Sequence, residues 1–362
     1  MDFSFTEEQQ LLEDTVRRFV AKDYAFEQRR AILASAAGWS REAWQQLAEL
    51  GLLALNVPEE HGGLGAGPVD TLLAMNALGP GLPLEPYLAS AVVATALLRE
   101  CPPQGGLLAE MAAGERIVVL AHTEPAGAAT VCRPAETDFL LDGRKCVVAH
   151  AAAADMLVVS ARLGDELALF LVPRDAAGLS LDSYPTLDGR RAAEVHLAGV
   201  RLPATARLAA GQDALERALD IGLAALCAEA VGIMKAALDA TVDYLRTRRQ
   251  FGQPIGRFQA LQHRMVDMVI ATEQSRSMAM MAAVKVDSDD ATERRRAISA
   301  AKAYIGQQAR FVGQQAVQLH GGMGVVDELN VSHWFKRLTM IELTFGNTDH
   351  HLGLFSDTLL AA

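Results

Sequence analysis

The sequence predicts an α+β chain, mainly α, in three consecutive parts. These are an N-terminal helical domain over residues 1–116, a central antiparallel β-barrel domain over 117–211 and a C-terminal four-helix bundle over 212–362. Three observations predict it. Apolar residues recur at three- and four-residue intervals up to Glu115, the spacing of one buried helix face. From Ile117 to Leu208 that spacing gives way to short apolar runs separated by turn dipeptides, without helical patterns between them. From Asp213 the helical period returns and holds to the end of the chain.

Each part can be justified in order. Thr6-Glu7-Glu8-Gln9 has the form of a capping box, and Leu11, Leu12, Val16, Phe19 and Val20 then mark one face. Trp44, Leu47 and Leu50 repeat the pattern before Gly51, a helix stop. Val57 to Pro68 is a loop rich in Gly and Pro, and Val69 to Leu78 resumes the helix. Gly63-Leu64-Gly65-Ala66-Gly67 faintly resembles a phosphate loop, but it follows no strand and reads as an ordinary turn.

In the middle part, the runs are 117–120, 139–141, 146–148, 156–159, 167–172 and 195–197, with turn signals at Asp142-Gly143, Gly164-Asp165 and Asp188-Gly189. Strands so arranged read as a barrel or sandwich; a parallel nucleotide-binding sheet would want helices between its strands. In the last part, Asp213 to Arg248 is one long helix whose face carries Leu219, Cys227, Val231, Met234, Leu238, Val242 and Leu245. Phe258 to Val286, Ala291 to Leu319 and Glu328 to Leu343 follow, and long helices joined by short loops make a bundle.

Composition narrows the function classes. Half the 362 residues are hydrophobic (51%) and 21% are charged, the balance of a globular chain and not of a disordered one. The 33 Lys+Arg against 44 Asp+Glu leave −11, which argues against nucleic acid or an anionic membrane surface as partner, while a small anionic ligand needs only a few local arginines. Cys101, Cys132, Cys146 and Cys227 form no Cys-x-x-Cys pair, so free thiols are expected, not disulfides or structural zinc. Asp2, Glu7 and Glu8 stand where a signal peptide would be basic. The longest apolar stretch, Ile221 to Met234, is interrupted by Glu229 and falls short of a membrane span, so a cytoplasmic protein is expected.

The chemistry concentrates in a few segments. Tyr244 to His263 includes Arg248, whose planar fork of donors suits a pyrophosphate, then the Gln250 amide, the flat Phe251 ring and Gly252. Gln318-Leu319-His320-Gly321-Gly322-Met323-Gly324 offers glycines that let a ligand approach the backbone. Read without further context, Arg248 could equally be solvated and the glycines a helix stop. Thr123-Glu124-Pro125, Phe335-Lys336-Arg337 and Gly346-Asn347 complete the set.

With these motifs at these separations, the chain resembles the acyl-CoA dehydrogenase family over its whole length. The resemblance implies that family's fold, FAD as cofactor, an acyl-CoA substrate and electron-transfer flavoprotein as electron acceptor. It also implies that Arg248, Gln250, Phe251, Gln318, Gly321 and Gly322 contact the FAD of a neighbouring subunit.

Other segments depart from the family. After Thr-Glu-Pro it usually has Gly-Ser-Asp, where this chain ends in Ala128-Ala129-Thr130, with Gly127 aligning with the glycine only through a deletion. Its flavin-covering Trp-Ile-Thr is replaced by Val147-Val148-Ala149 after Gly143-Arg144-Lys145-Cys146. Such losses, of order 6 kcal/mol together, turn a nanomolar site into one weaker than about ten micromolar. The family's C-terminal Tyr-Glu-Gly-Thr, which supplies the base for the α proton, aligns with Thr344 and Phe345, and the alternative base position falls on Gly222. No catalytic residue is therefore assigned.

Asp349, next to His350 and His351, is the candidate for a displaced base; the three could also suggest a metal, but no further ligand motif supports one. Structural pairs are the better expectation for Glu342 and Glu229. The pattern implies the non-catalytic small subunit of a heteromeric, α2β2 enzyme, similar to bacterial pimeloyl-CoA and steroid side-chain dehydrogenases. The alternatives are a self-sufficient homomer with Asp349 as base, and a flavin-free structural or acyl-CoA-binding protein of the same fold.

Overall fold

The structure is a computed structural model, and it describes residues 4–101 and 106–360. Asp2 of the acidic N-terminal stretch lies outside them. The chain divides into two compact units, one of residues 1–29, 68–83 and 223–362, the other of 30–67 and 84–222.

In chain order the α-helices before the sheet are α1 (Glu7–Lys22), α2 (Phe26–Leu33), α3 (Arg41–Glu49), α4 (Pro68–Leu78), α5 (Thr95–Glu100) and α6 (Leu107–Ala112), with a π-helix, Tyr87–Ala94, leading into α5. The capping box of α1 forms as expected: Gln9 N–H donates to Thr6 Oγ1 at 3.2 Å and Thr6 N–H to Gln9 Oε1 at 3.1 Å. Val16 and Phe19 are its buried face, whereas Leu11 is exposed; α1 packs on α4 with one narrow stripe, and Leu11 lies off it.

The sheet has seven strands: β1 (Val118–Ala121), β2 (Val131–Ala135), β3 (Asp138–Ala149), β4 (Met156–Leu163), β5 (Glu166–Pro173), β6 (Leu179–Pro185) and β7 (Arg191–Pro203). Their order is β1-β4-β2-β3-β7-β6, with β5 beside β4. Most pairings are antiparallel, but β1 runs parallel to β4, and β2 touches β4 in the same sense. The runs at 139–141 and 146–148 are one strand, because Asp142-Gly143 is a register shift in β3 and not a turn. Strands β2 and β6 carry no apolar run; both are largely exposed.

Beyond the sheet come α7 (Gln212–Thr247), the two-residue strands β8 (Arg249–Gln250) and β9 (Gln253–Pro254), then α8 (Gln259–Lys285), α9 (Ala291–His320), α10 (Asn330–Leu343) and α11 (Thr348–Leu360). The last helix, α11, is additional to the expected set.

In the first unit α9 packs against α8, α10 and α11. The close approach of α4 to α7 needs Gly232, where a Cβ would lie 2.0 Å from the Asn76 carbonyl oxygen. Glu229 and Arg337 form a buried bidentate pair at 2.8 and 2.6 Å, so Glu229 is a structural partner, as expected. By length and composition α7 could cross a membrane, and 89% of its most apolar window is buried inside the protein, as in the core helix of a bundle.

The second unit has its own core. Leu97, Leu98, Leu107 and Met111 pack with Val118, Val158 and Leu169 of the sheet and with Leu215 and Ala218 of α7. The Gly63–Gly67 segment closes on itself. Leu64, Gly65 and Ala66 N–H groups donate to the carbonyls of Ala54, Val57 and Leu55, which leaves those donors unavailable to a phosphate. All four cysteines are free thiols.

Candidate flavin-contact segments and the vacated base position

Helix α7 ends where Arg248 N–H donates to the Tyr244 carbonyl. The chain then makes a two-residue hairpin, Gln250 opposite Gln253, with Phe251 (φ 51°) and Gly252 (φ 79°) at the turn. Two successive positive φ values define the turn that matches strand twist. Gly252 adopts this freely, while Phe251 is held in a region that costs a side-chain residue of the order of 1 kcal/mol. The residue is 89% exposed, and its ring meets Phe258 in a T-shaped contact. A strained residue presenting bare apolar surface points to a contact made elsewhere. Arg248 is exposed, and its guanidinium makes no hydrogen bond or ion pair among the described residues. The Gln250 amide is bound only to the neighbouring Arg249 carbonyl.

The second segment lies at the end of α9. The Tyr244 and His320 rings stack at 4.4 Å and 27°, which ties the end of α7 to the end of α9. His320 Nδ1–H donates to Ala316 O at 2.8 Å, and burial pushes the imidazole pKa down, so the stacked ring is neutral. Gln318 is exposed on the last helical turn, and Gly321 follows with φ 59°. A Cβ at Gly321 or Gly322 would meet nothing within 4 Å, whereas one at Gly324 would lie 2.5 Å from the Val317 carbonyl oxygen. Gly324 therefore serves the fold, and Gly321 and Gly322 leave space open. Open backbone, a free guanidinium, an amide and an exposed ring fit one edge of an anionic dinucleotide such as FAD, and the chain's own packing makes little use of them.

In the second unit, Glu124, Lys145, Ser160 and His122 are joined. Lys145 is 1% exposed, and its ammonium donates to Glu124 Oε1 (2.6 Å), Ser160 Oγ (3.0 Å) and His122 O (3.3 Å). Glu124 also accepts from Thr130 N–H at 2.7 Å. Burial alone would raise the Glu124 carboxyl, but the bonds from Lys145 and Thr130 outweigh it and hold it below the usual range. Thus Glu124 closes its own loop. Val147, where the family has its aromatic plate, is a β-branched residue at φ 50° in a register shift of β3, and it is 55% exposed. Neither Val147 nor Ala128-Ala129 supplies a polar side chain or a ring. These residues do not fit a flavin in the family's manner.

The base position is equally plain. Phe345 (φ 58°) and Gly346 (φ 102°) form the turn between α10 and α11. Buried Lys302 donates to the carbonyls of Glu342 (2.8 Å) and Gly346 (2.6 Å). His351 Nε2–H donates to the Phe345 carbonyl at 3.0 Å while its Nδ1 accepts from Ser299 Oγ. Burial, then the charge of Lys302, pulls the His351 pKa down to about 4. Thr344 donates its hydroxyl to Met340 O.

No carboxylate belongs to this turn. Glu342 is paired with Arg310 at 3.3 Å and accepts from Thr348 N–H at 3.0 Å, the structural role expected of it. Burial would raise its carboxyl, but Thr348 and the nearby cations hold it low, which makes it a poor base. Asp349 sits exposed on the first turn of α11, and Gly222 is buried within α7. Among the described residues no group of three or more His, Cys, Asp or Glu is arranged to hold a metal.

The structure thus brings Arg248, Gln250 and Phe251 together on one hairpin and Gln318, Gly321 and Gly322 at one helix end, with the Tyr244–His320 stack joining the two. Sequence reasoning missed that stack and the His122–Ser160–Lys145 network. Lys145 stood in a noted motif, and His122 directly precedes Thr123-Glu124-Pro125, which was the available signal.

Comparison with known proteins identifies the family. The acyl-CoA dehydrogenase N-terminal, middle and C-terminal domain families match residues 6–115, 120–200 and 209–360. The chain is 30% identical to benzylmalonyl-CoA dehydrogenase of Aromatoleum aromaticum, over 94% of this chain and 95% of that one. Among solved structures it is similar to the ChsE4-ChsE5 complex from Mycobacterium tuberculosis (TM-score 0.93, 25% identity, all of both chains). It is similar also to the Tcur3481-Tcur3483 steroid ACAD (TM-score 0.91, 28% identity, 98% of both chains). The chain belongs to the acyl-CoA dehydrogenase family, FAD-dependent oxidoreductases that act on a CH–CH pair.

Proposed function

We propose that this chain is the non-catalytic small subunit of a heteromeric acyl-CoA dehydrogenase, lending contacts to the FAD site of a second, catalytic subunit. One observation carries the reading: the Arg248 and Gly321 segments are open, while the Thr344–Gly346 turn is closed on itself and holds no acid. In a homodimer each site would lack its base. In a heteromer the partner brings the base and its own flavin motifs, and Arg248, Gln250, Phe251, Gln318, Gly321 and Gly322 complete the site. The two solved relatives named as pairs, ChsE4-ChsE5 and Tcur3481-Tcur3483, support the same reading.

An α2β2 assembly with one FAD per pair follows, located in the cytoplasm and passing electrons to electron-transfer flavoprotein. The three-part division at 116/117 and 211/212 belongs to the same proposal. Its substrate class is a bulky acyl-CoA of the steroid side-chain or dicarboxylic kind. The test is flavin content. The full chain purified alone is expected to hold no FAD, and the complex with its partner one per pair; FAD near one per chain in the lone protein overturns the reading.

A further inference from the structure

Helix α8 inverts the usual order of a surface helix. The residues it buries as it packs on α9 and α4 include the small Ala271, Ser275, Ala279 and Ala282. Four larger apolar residues, Val266, Val269, Ile270 and Val284, are exposed instead. A helix on the surface of a finished fold turns its large apolar residues inward, because apolar area left in water is unfavourable. The exposed four share one side of the helix, and half-buried Met280 and Met281 continue the stripe at helical spacing.

The two ends of the helix differ in charge. Tyr244 to Val266 holds five arginines and no acid, with Arg257 exposed just ahead of the helix. Past the other end come Asp287, Asp289 and Asp290, with no Lys or Arg before Arg294. Laid parallel on the same face of a second copy, the helix would set arginines beside arginines. Laid antiparallel, it sets them beside aspartates.

The stripe is also symmetric about its middle. Val266 and Val284 lie nine residues to either side of Ser275, and Ile270 and Met280 lie five. A twofold axis beside Ser275 therefore puts Val266 on the other copy's Val284 and Ile270 on its Met280, and the reverse, as an isologous contact requires. Glu273 then falls opposite Ser277, one residue from Arg276.

We propose that the Val266–Val284 face of α8 is an interaction surface for a second copy of this chain, the two helices running antiparallel about Ser275. The occupant is a second copy because this one sequence supplies both apolar halves and both charged ends. The contact does not rest on the small-subunit reading, which flavin content decides separately; in an α2β2 assembly it joins the two copies of this chain.

Sedimentation velocity of the full chain should show a dimer in equilibrium with monomer, and a chain still monomeric at about 100 μM overturns the proposal. Ile270→Asp should weaken the dimer roughly hundredfold or more, since a twofold contact buries two unpaired carboxylates. A dimer of unchanged affinity in that variant means another face is used and overturns the proposal. A monomer that loses its catalytic partner through Ile270→Asp gives the face to that partner and overturns it too.

Direction is read by disulfide formation under mild oxidation. Val266→Cys and Val284→Cys should each fail to cross-link alone, because like residues lie ~27 Å apart along antiparallel helices. The two variants mixed should cross-link to each other. Linkage of either variant to itself, or none in the mixture, overturns the antiparallel contact. Both positions are exposed, and the sedimentation of the unsubstituted chain decides if a variant fails to fold.

Discussion

The Arg248–Gly322 end of the bundle and the Lys145 knot in the sheet are built from similar polar groups used in opposite ways. At the bundle end a guanidinium is left without a partner, two glycines leave open space, and a phenyl ring is largely exposed. In the sheet an ammonium spends all three of its donors within the chain. A group that serves the fold is satisfied by the fold, because an unpaired buried charge is costly. A group that serves a ligand is left exposed and unsatisfied, where water covers it until the ligand arrives. The contrast separates stability from binding, and substitutions can test it.

The largest expected effect is Lys145→Met, which strands the Glu124 carboxylate and the Ser160 hydroxyl. About 3 kcal/mol of stability should be lost, at the low end for a broken buried pair because Glu124 is 29% exposed on its side chain. A urea midpoint unchanged within error would break the comparison.

A comparable effect, read through pH, belongs to the base-position turn. The folded His351 pKa, about 4, lies below its ordinary 6.5, so its contribution is full above about pH 6.5 and is lost as pH falls toward 4. The loss should approach about 3 kcal/mol at most. His351→Gln should flatten the stability–pH slope in that window, and denaturant unfolding at a series of pH values measures it.

The smallest effect on stability is Arg248→Ala, expected within about 0.5 kcal/mol because the side chain is exposed and unpaired. In the complex the same substitution should weaken FAD retention about tenfold or more, the worth of a charge-assisted hydrogen bond. Full retention would erase the distinction between the two regions.

What the sequence made legible follows physical range. The limits of α7, α8 and α9 were readable because the 3.6-residue period and the breaks at Gly252, Ser288 and Gly321 are local. Strands β2 and β6 were not, since their exposed, polar residues carry no apolar run. Helix α11 was hidden because His351 is its one residue buried outright among those described. Arg248 and the glycines were legible as motifs. The His122–Ser160 contact was not, because it joins residues 38 apart, one just past the end of β1 and the other on β4, and period assigns a face but not a long-range partner.

The turn at Phe345 carries one more consequence. Lys302 and His351 grip it only by main-chain carbonyls, of Glu342, Gly346 and Phe345. Its path is therefore indifferent to which side chain occupies position 345, and an acid can be exchanged there for a ring without disturbing the scaffold. The sheet is different, since an aromatic plate at Val147 would need a new side chain where the register of β3 shifts. The two departures from the family are unequal in reversibility: the missing base is one codon on an intact frame, while the missing plate is a matter of backbone.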